Sequence, residues 1–83
     1  MKHAGKEALE ELDPLLRKVR GFDALTEKQP GVFYRKSNAF LHFHEDPAGL
    51  FADLKMGQSW KRLPMNSRPD RELLLREIRS ILK

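Results

Sequence analysis

Two hydrophobic periods divide this chain. Apolar residues recur at helical spacing up to residue 20, alternate from residue 32, and return to helical spacing after residue 68. Leu9, Leu12, Leu16 and Val19 lie on one stripe, in steps of three and four, which predicts a helix over residues 4–20. Glu7, Glu10 and Glu11 come early and Arg17, Lys18 and Arg20 late, an order that complements the helix dipole. Gly21 stands where a left-handed cap residue belongs. Pro14 removes a hydrogen bond in mid-helix, so the helix is expected to be kinked or broken there. Asp13-Pro14 also reads as a fresh N-cap followed by a first-turn proline. The stripe continues across it, so both halves should cover one core.

Residues 21–31 read as a connector, with Phe22 and Leu25 tucked beneath it and Gln29-Pro30-Gly31 closing it with a turn. Four strands follow, at residues 32–36, 39–45, 50–56 and 60–65. Ser37-Asn38, Asp46-Pro47-Ala48-Gly49 and Gly57-Gln58-Ser59 separate them with turn compositions of hairpin length. A last helix is predicted over residues 68–82. Ser67 and Asp70 resemble a capping box, and Leu74, Leu75, Ile78, Ile81 and Leu82 make its apolar face. The elements sum to an α+β fold in a single domain, residues 1–83. It is a four-stranded antiparallel β-meander with the N-terminal and C-terminal helices packed on one face.

The turns fix a register. Asp46-Pro47-Ala48-Gly49 suits a type I turn, and pairing Asp46 with Gly49 sets Phe43 opposite Ala52, Leu41 opposite Leu54 and Ala39 opposite Met56. It also sets His44 opposite Phe51, His42 opposite Asp53 and Phe40 opposite Lys55. A slip by one residue would mix apolar with polar positions, so the pattern selects this register. Gly57 first in a type II′ turn then sets Ala52 opposite Leu63, Asp53 opposite Arg62 and Lys55 opposite Trp60. One face carries Ala39, Leu41, Phe43, Leu50, Ala52, Leu54, Met56, Leu63 and Met65, where the helices should pack. The other carries Phe40, His42, His44, Phe51, Asp53, Lys55, Trp60 and Arg62. The first hairpin leaves two options. A Ser37-Asn38 turn sends Phe33 and Arg35 to this second face, and a three-residue loop sends Tyr34 and Lys36 there. Lys61 falls on the core face, near an edge, where its stem can reach solvent.

Composition narrows the chemistry. The chain has 83 residues, 34% of them charged, and no cysteine, which excludes a disulfide framework, thiolate metal sites and a cysteine nucleophile. No stretch approaches the roughly 20 apolar residues of a membrane span, and the N-terminus has no leader-like apolar run. A full-length cytoplasmic protein is the expectation. The net charge of +4 comes from cations spread along the chain without a run of five, which keeps a small protein soluble and favours anionic partners.

The second face admits several chemistries. His42 and His44 at i, i+2, with Asp53 or Glu45 nearby, have donor types that suit Zn²⁺ or Fe²⁺, but Arg62 would compete for Asp53 and repel a cation. A His42–Asp53–Arg62 hydrogen-bonded row explains the same residues without a metal. His42 oriented by Asp53 is half of a catalytic triad, yet Ser37, Ser59 and Ser67 lie in turns and no nucleophile accompanies it. No catalytic residue and no cofactor is therefore assigned. Phe40, Phe51 and Trp60 beside Lys55 and Arg62 supply the rings and cations that single-stranded nucleic acid requires. The same rings form an apolar patch that a homodimer or a protein partner would cover. A non-enzymatic binding module is the expectation, with single-stranded nucleic-acid binding and a histidine metal site as alternatives.

Gly31-Val-Phe-Tyr-Arg-Lys-Ser-Asn-Ala-Phe-Leu-His-Phe-His-Glu-Asp46, Leu50-Phe-Ala-Asp-Leu54 and Trp60-Lys-Arg-Leu-Pro64 carry a resemblance. Over residues 31–82 the chain resembles small uncharacterised bacterial domains. It is more distantly similar to the luciferase-associated domain and to YjbR-like α+β proteins. The resemblance implies a bacterial source and the helix–meander–helix layout. It transfers no catalytic or binding residue.

Overall fold

The structure is a computed structural model and describes residues 2–83. Its elements run β1 (Lys2–His3), α1 (Lys6–Arg20), β2 (Leu25–Gln29), β3 (Val32–Arg35), β4 (Asn38–Asp46), β5 (Gly49–Met56), β6 (Ser59–Pro64) and α2 (Arg68–Leu82). The antiparallel sheet is ordered β2-β3-β4-β5-β6, and β1 pairs with β4. The architecture is thus α+β, with two helices and one open sheet. The expected four strands are corrected to a five-strand meander with a short sixth. β2 contains a single apolar residue, Leu25, in an otherwise polar run, so it has no alternation to read. β1 has two exposed residues and exists because it pairs with β4.

One core joins the layers. Leu12, Leu16 and Val19 of α1 meet Leu74 and Ile78 of α2 over Phe33, Leu41, Phe43, Ala52, Leu54 and Leu63. A fully buried side chain of this kind contributes about 1.5–3 kcal/mol. Phe22 and Leu25 do tuck against the core, as their positions suggested. The helix begins at Lys6 rather than residue 4, because Ala4 N–H donates to the Phe43 carbonyl and Gly5 is the N-cap. It runs through Pro14 as one helix, so the break is not taken. Glu10, whose carbonyl loses its donor to the proline, is exposed and open to water. Arg20 and Glu27 bind in two places, Nε–Oε1 at 2.6 Å and Nη2–Oε2 at 3.2 Å, joining the end of α1 to β2. At α2 the capping box is present, with Asp70 N–H donating to Ser67 Oγ and Ser67 N–H to Asp70 Oδ2.

The two later hairpins follow the expected register. Phe43↔Ala52, Leu41↔Leu54, His42↔Asp53 and Asp46↔Gly49 pair on β4 and β5, and Ala52↔Leu63, Asp53↔Arg62 and Lys55↔Trp60 on β5 and β6. Asp46 caps its own turn by accepting the Ala48 N–H, and Gly57 takes the positive φ of +65° that the tight turn requires. The first hairpin differs from both options. Its turn is Lys36-Ser37, closed by Arg35↔Asn38. The register then shifts between Tyr34↔Ala39 and Phe33↔Leu41, so β4 has one residue, Phe40, without a counterpart. This bulge corrects two placements. Phe40, expected on the second face, is 3% exposed and belongs to the core beside Leu41, and Ala39, expected in the core, is outside it. Phe33 also goes to the core, leaving Tyr34 on the second face with Lys28 Nζ 5.9 Å from its ring centre. Lys61 does lie opposite Leu54 on the outer strand, exposed, and reaches Glu77 of α2 at 3.6 Å. Among the described residues no helix is long and apolar enough to cross a membrane.

Candidate functional site on the open face of the sheet

The face away from the helices is built by alternation. On β4 the residues between Leu41, Phe43 and Glu45 are His42 and His44. On β5 the outward set is Phe51, Asp53 and Lys55, and on β6 it is Trp60 and Arg62. Seven of the eight candidate residues are therefore brought together. Phe40 is the exception. A residue not foreseen joins them: β1 sets His3 directly opposite His44. All three histidines of the chain thus meet, with ring centres 5.2–6.0 Å apart. His3 is distant in sequence and belongs to a two-residue strand, so no local pattern could reveal it.

Asp53 is the hub. Arg62 grips it with two bonds, Nε–Oδ1 at 2.8 Å and Nη2–Oδ2 at 2.9 Å. That hydrogen-bonded guanidinium holds the carboxyl below its usual range, outweighing the opposing effect of burial. The expected Asp53–Arg62 link is present, but the imidazole beside it is His44, not His42. His44 Nε2 lies 3.1 Å from Asp53 Oδ2, a close contact that is off the line of an N–H bond. His42 packs instead on Trp60, with ring centres 5.2 Å apart. Its Nε2 is buried without a hydrogen-bond partner among the described residues. Burial pushes the pKa of His42 down, and the neighbouring His44 and His3 add to this. Burial also lowers that of His44, against the pull of Asp53. Both rings are thereby biased toward the neutral form.

Chain comparison places no relative beside these residues. No protein-family model, curated protein or solved structure matches. What the site can do must come from its geometry.

Four imidazole or carboxylate side chains stand close together, but among the described residues no three or more are placed to hold a metal ion. The rest of the face is aromatic and cationic. Trp60 is 43% exposed, and Lys55 Nζ sits 5.1 Å from its ring centre. Phe51 is half-buried. The pairing of β4 and β5 runs only as far as Leu41↔Leu54. Beyond it, the tips of the first and last hairpins flank an open cleft of about 620 Å³. Arg35, Lys36, Asn38, Lys55, Gln58 and Trp60 are among the residues that line it. Phe40 and Ala39 line it too, so the bulge that buries Phe40 also borders the cleft.

Proposed function

We propose that this chain is a non-enzymatic binding module of a bacterial cytoplasm that receives an anionic partner on the open face of its sheet. The observation that carries this is the exposure of Trp60, 43%, on a face that neither helix covers, between His42 and Lys55. Rings flanked by cations favour a ligand with both negative charge and flat apolar surface. A second copy of the chain is a poorer fit. The apolar patch expected of Phe40, Phe51 and Trp60 shrinks once Phe40 is in the core. The only large hydrophobic side chains strongly exposed among the described residues are Trp60 and Leu73, and Leu73 belongs to α2. Dimer seams are usually richer in apolar surface than this. Catalysis is not supported either, because the His42 ring packs against the Trp60 indole with no hydrogen-bond partner at Nε2 among the described residues, and Asp53 is committed to Arg62.

The test is an amide and indole NMR titration with a polyanion, together with mass by light scattering over a range of concentrations. Shifts should map to β4, β5, β6 and the Trp60 indole while the mass stays that of a monomer. Shifts restricted to α1 and α2 would overturn the reading. A dimer mass accompanied by protection of Trp60 would give the face to a second copy.

A further inference from the structure

We propose that the cleft at the hairpin-tip end of the sheet is a site for a nucleotide unit, a planar base joined to a phosphate. This names the ligand of the binding face and presupposes that the face binds. Three cations line the cleft, Arg35, Lys36 and Lys55, and no carboxylate does. Elsewhere on the sheet Arg62 is matched by Asp53, Lys61 by Glu77 and Lys2 by Glu45, while Lys28 lies over the Tyr34 ring. Among the described residues none of the three cleft cations pairs with a carboxylate. Uncompensated cations around a concavity raise the local potential and attract phosphate.

Charge alone would suit any anion. The remaining lining residues narrow the class. Trp60 offers an exposed ring for stacking. Asn38 and Gln58 line the same space, and their amides can both donate and accept at a base edge. An acidic peptide would use the cations and amides and leave the exposed indole unstacked, whereas a nucleotide engages all of them. Lys36 has φ +59°, as the two-residue Lys36-Ser37 turn requires and as Gly57 has in the β5–β6 turn, and a glycine would take it at lower cost. The phosphate–base unit could arrive as a free nucleotide or within a single strand, and the two sources are separable by titration.

Trp60 is the chain's single tryptophan, so its fluorescence reports on the cleft. The intact chain is titrated with a 5′-phosphorylated pyrimidine tetranucleotide, the matching nucleoside monophosphate, the unphosphorylated nucleoside, inorganic phosphate and a short polyglutamate. The tetranucleotide should quench Trp60. With three phosphate-facing cations, affinity should fall about 20-fold between about 50 and about 200 mM salt. Equal affinity per site for the monophosphate assigns a free nucleotide; binding of the tetranucleotide alone assigns a strand. Both outcomes support the site. Lys36→Gly removes a cation while relieving the positive φ, so it should weaken binding about five- to ten-fold with thermal stability unchanged or raised. Lys55→Gln should weaken it similarly. The proposal is overturned if neither nucleotide quenches Trp60, if polyglutamate or inorganic phosphate binds as tightly, or if both variants bind like the parent. Partner binding that is lost in Arg62→Gln but kept in Lys36→Gly would preserve the binding face and remove this cleft as its ligand site.

Discussion

Acidification should destabilise this fold through His42 and His44 before it reaches Asp53. Both imidazoles have pKa values lowered by burial, so the folded chain binds fewer protons at these rings than the unfolded chain. Their contribution is complete above the unfolded histidine value of about 6.5 and declines as pH falls toward the folded values. Asp53 acts in a separate window. Its lowered pKa makes its contribution complete above about 4 and lost only below that. Burial is the larger cause, and the spacing of the rings sets the scale of the repulsion that adds to it. Two imidazolium charges 6.0 Å apart repel by about 0.7 kcal/mol at the permittivity of water and about 3 kcal/mol at an effective value near 20. The side chain of His44 is 14% exposed, and the attraction of Asp53 for its imidazolium offsets part of the repulsion, which sets the loss near the lower half of that range. A loss of about 1–2 kcal/mol is expected between about pH 7 and about pH 5. Urea unfolding followed by Trp60 fluorescence at several pH values measures it, with the double variant His42→Gln/His44→Gln as the reference. A parent midpoint that is flat or rises in acid would refute the reasoning, as would an equal pH slope in the double variant.

Three further outcomes are expected. Phe40→Ala should lower stability by about 3–5 kcal/mol in thermal or urea unfolding, as a core deletion does, while Phe51→Ala should cost distinctly less; equal small effects would place Phe40 back on the surface. Gly49→Ala should cost about 1–3 kcal/mol, because φ is +133° there and an added Cβ would stand 2.6 Å from Asn66 Oδ1, the acceptor of the Leu50 N–H. A urea midpoint unchanged from the parent would count against that geometry. Zn²⁺ added at about one equivalent should cause no saturable shift of the His3, His42 and His44 resonances, since among the described residues no three ligand-type side chains are placed to hold a metal ion. A saturable one-to-one shift would establish the metal site that the histidine pair first suggested.

What could be read from the chain, and what could not, follows from where the information lies. The register across β4, β5 and β6 was legible because Asp46-Pro47-Ala48-Gly49 and Gly57 specify their turns, and the alternation on either side permits one alignment. The capping box of Ser67 and Asp70 is likewise written in adjacent residues. The bulge at Phe40 was not legible. Strict alternation sends Phe40 outward, and only the competing demand of Phe33 and Leu41 for the same core reverses it. β2 escaped notice because an edge strand with one inward apolar residue looks like a loop. In the site, the Asp53–Arg62 pair was readable from register, while the choice between His42 and His44 depends on diagonal side-chain reach. His3 enters through tertiary pairing alone.

The sheet's spatial order is also its order along the chain from β2 to β6. Each of these strands can therefore add to its predecessor through a short turn, a route with low contact order that favours rapid folding. β1 is the exception. Lys2 and His3 reach Glu45 and His44 only after the chain has closed a loop through α1, β2, β3 and most of β4. Docking of β1 is expected to be a late event, and local opening should begin there. The histidine cluster would then come together last and separate first, with His3 exchanging in and out of a face that the meander has already built.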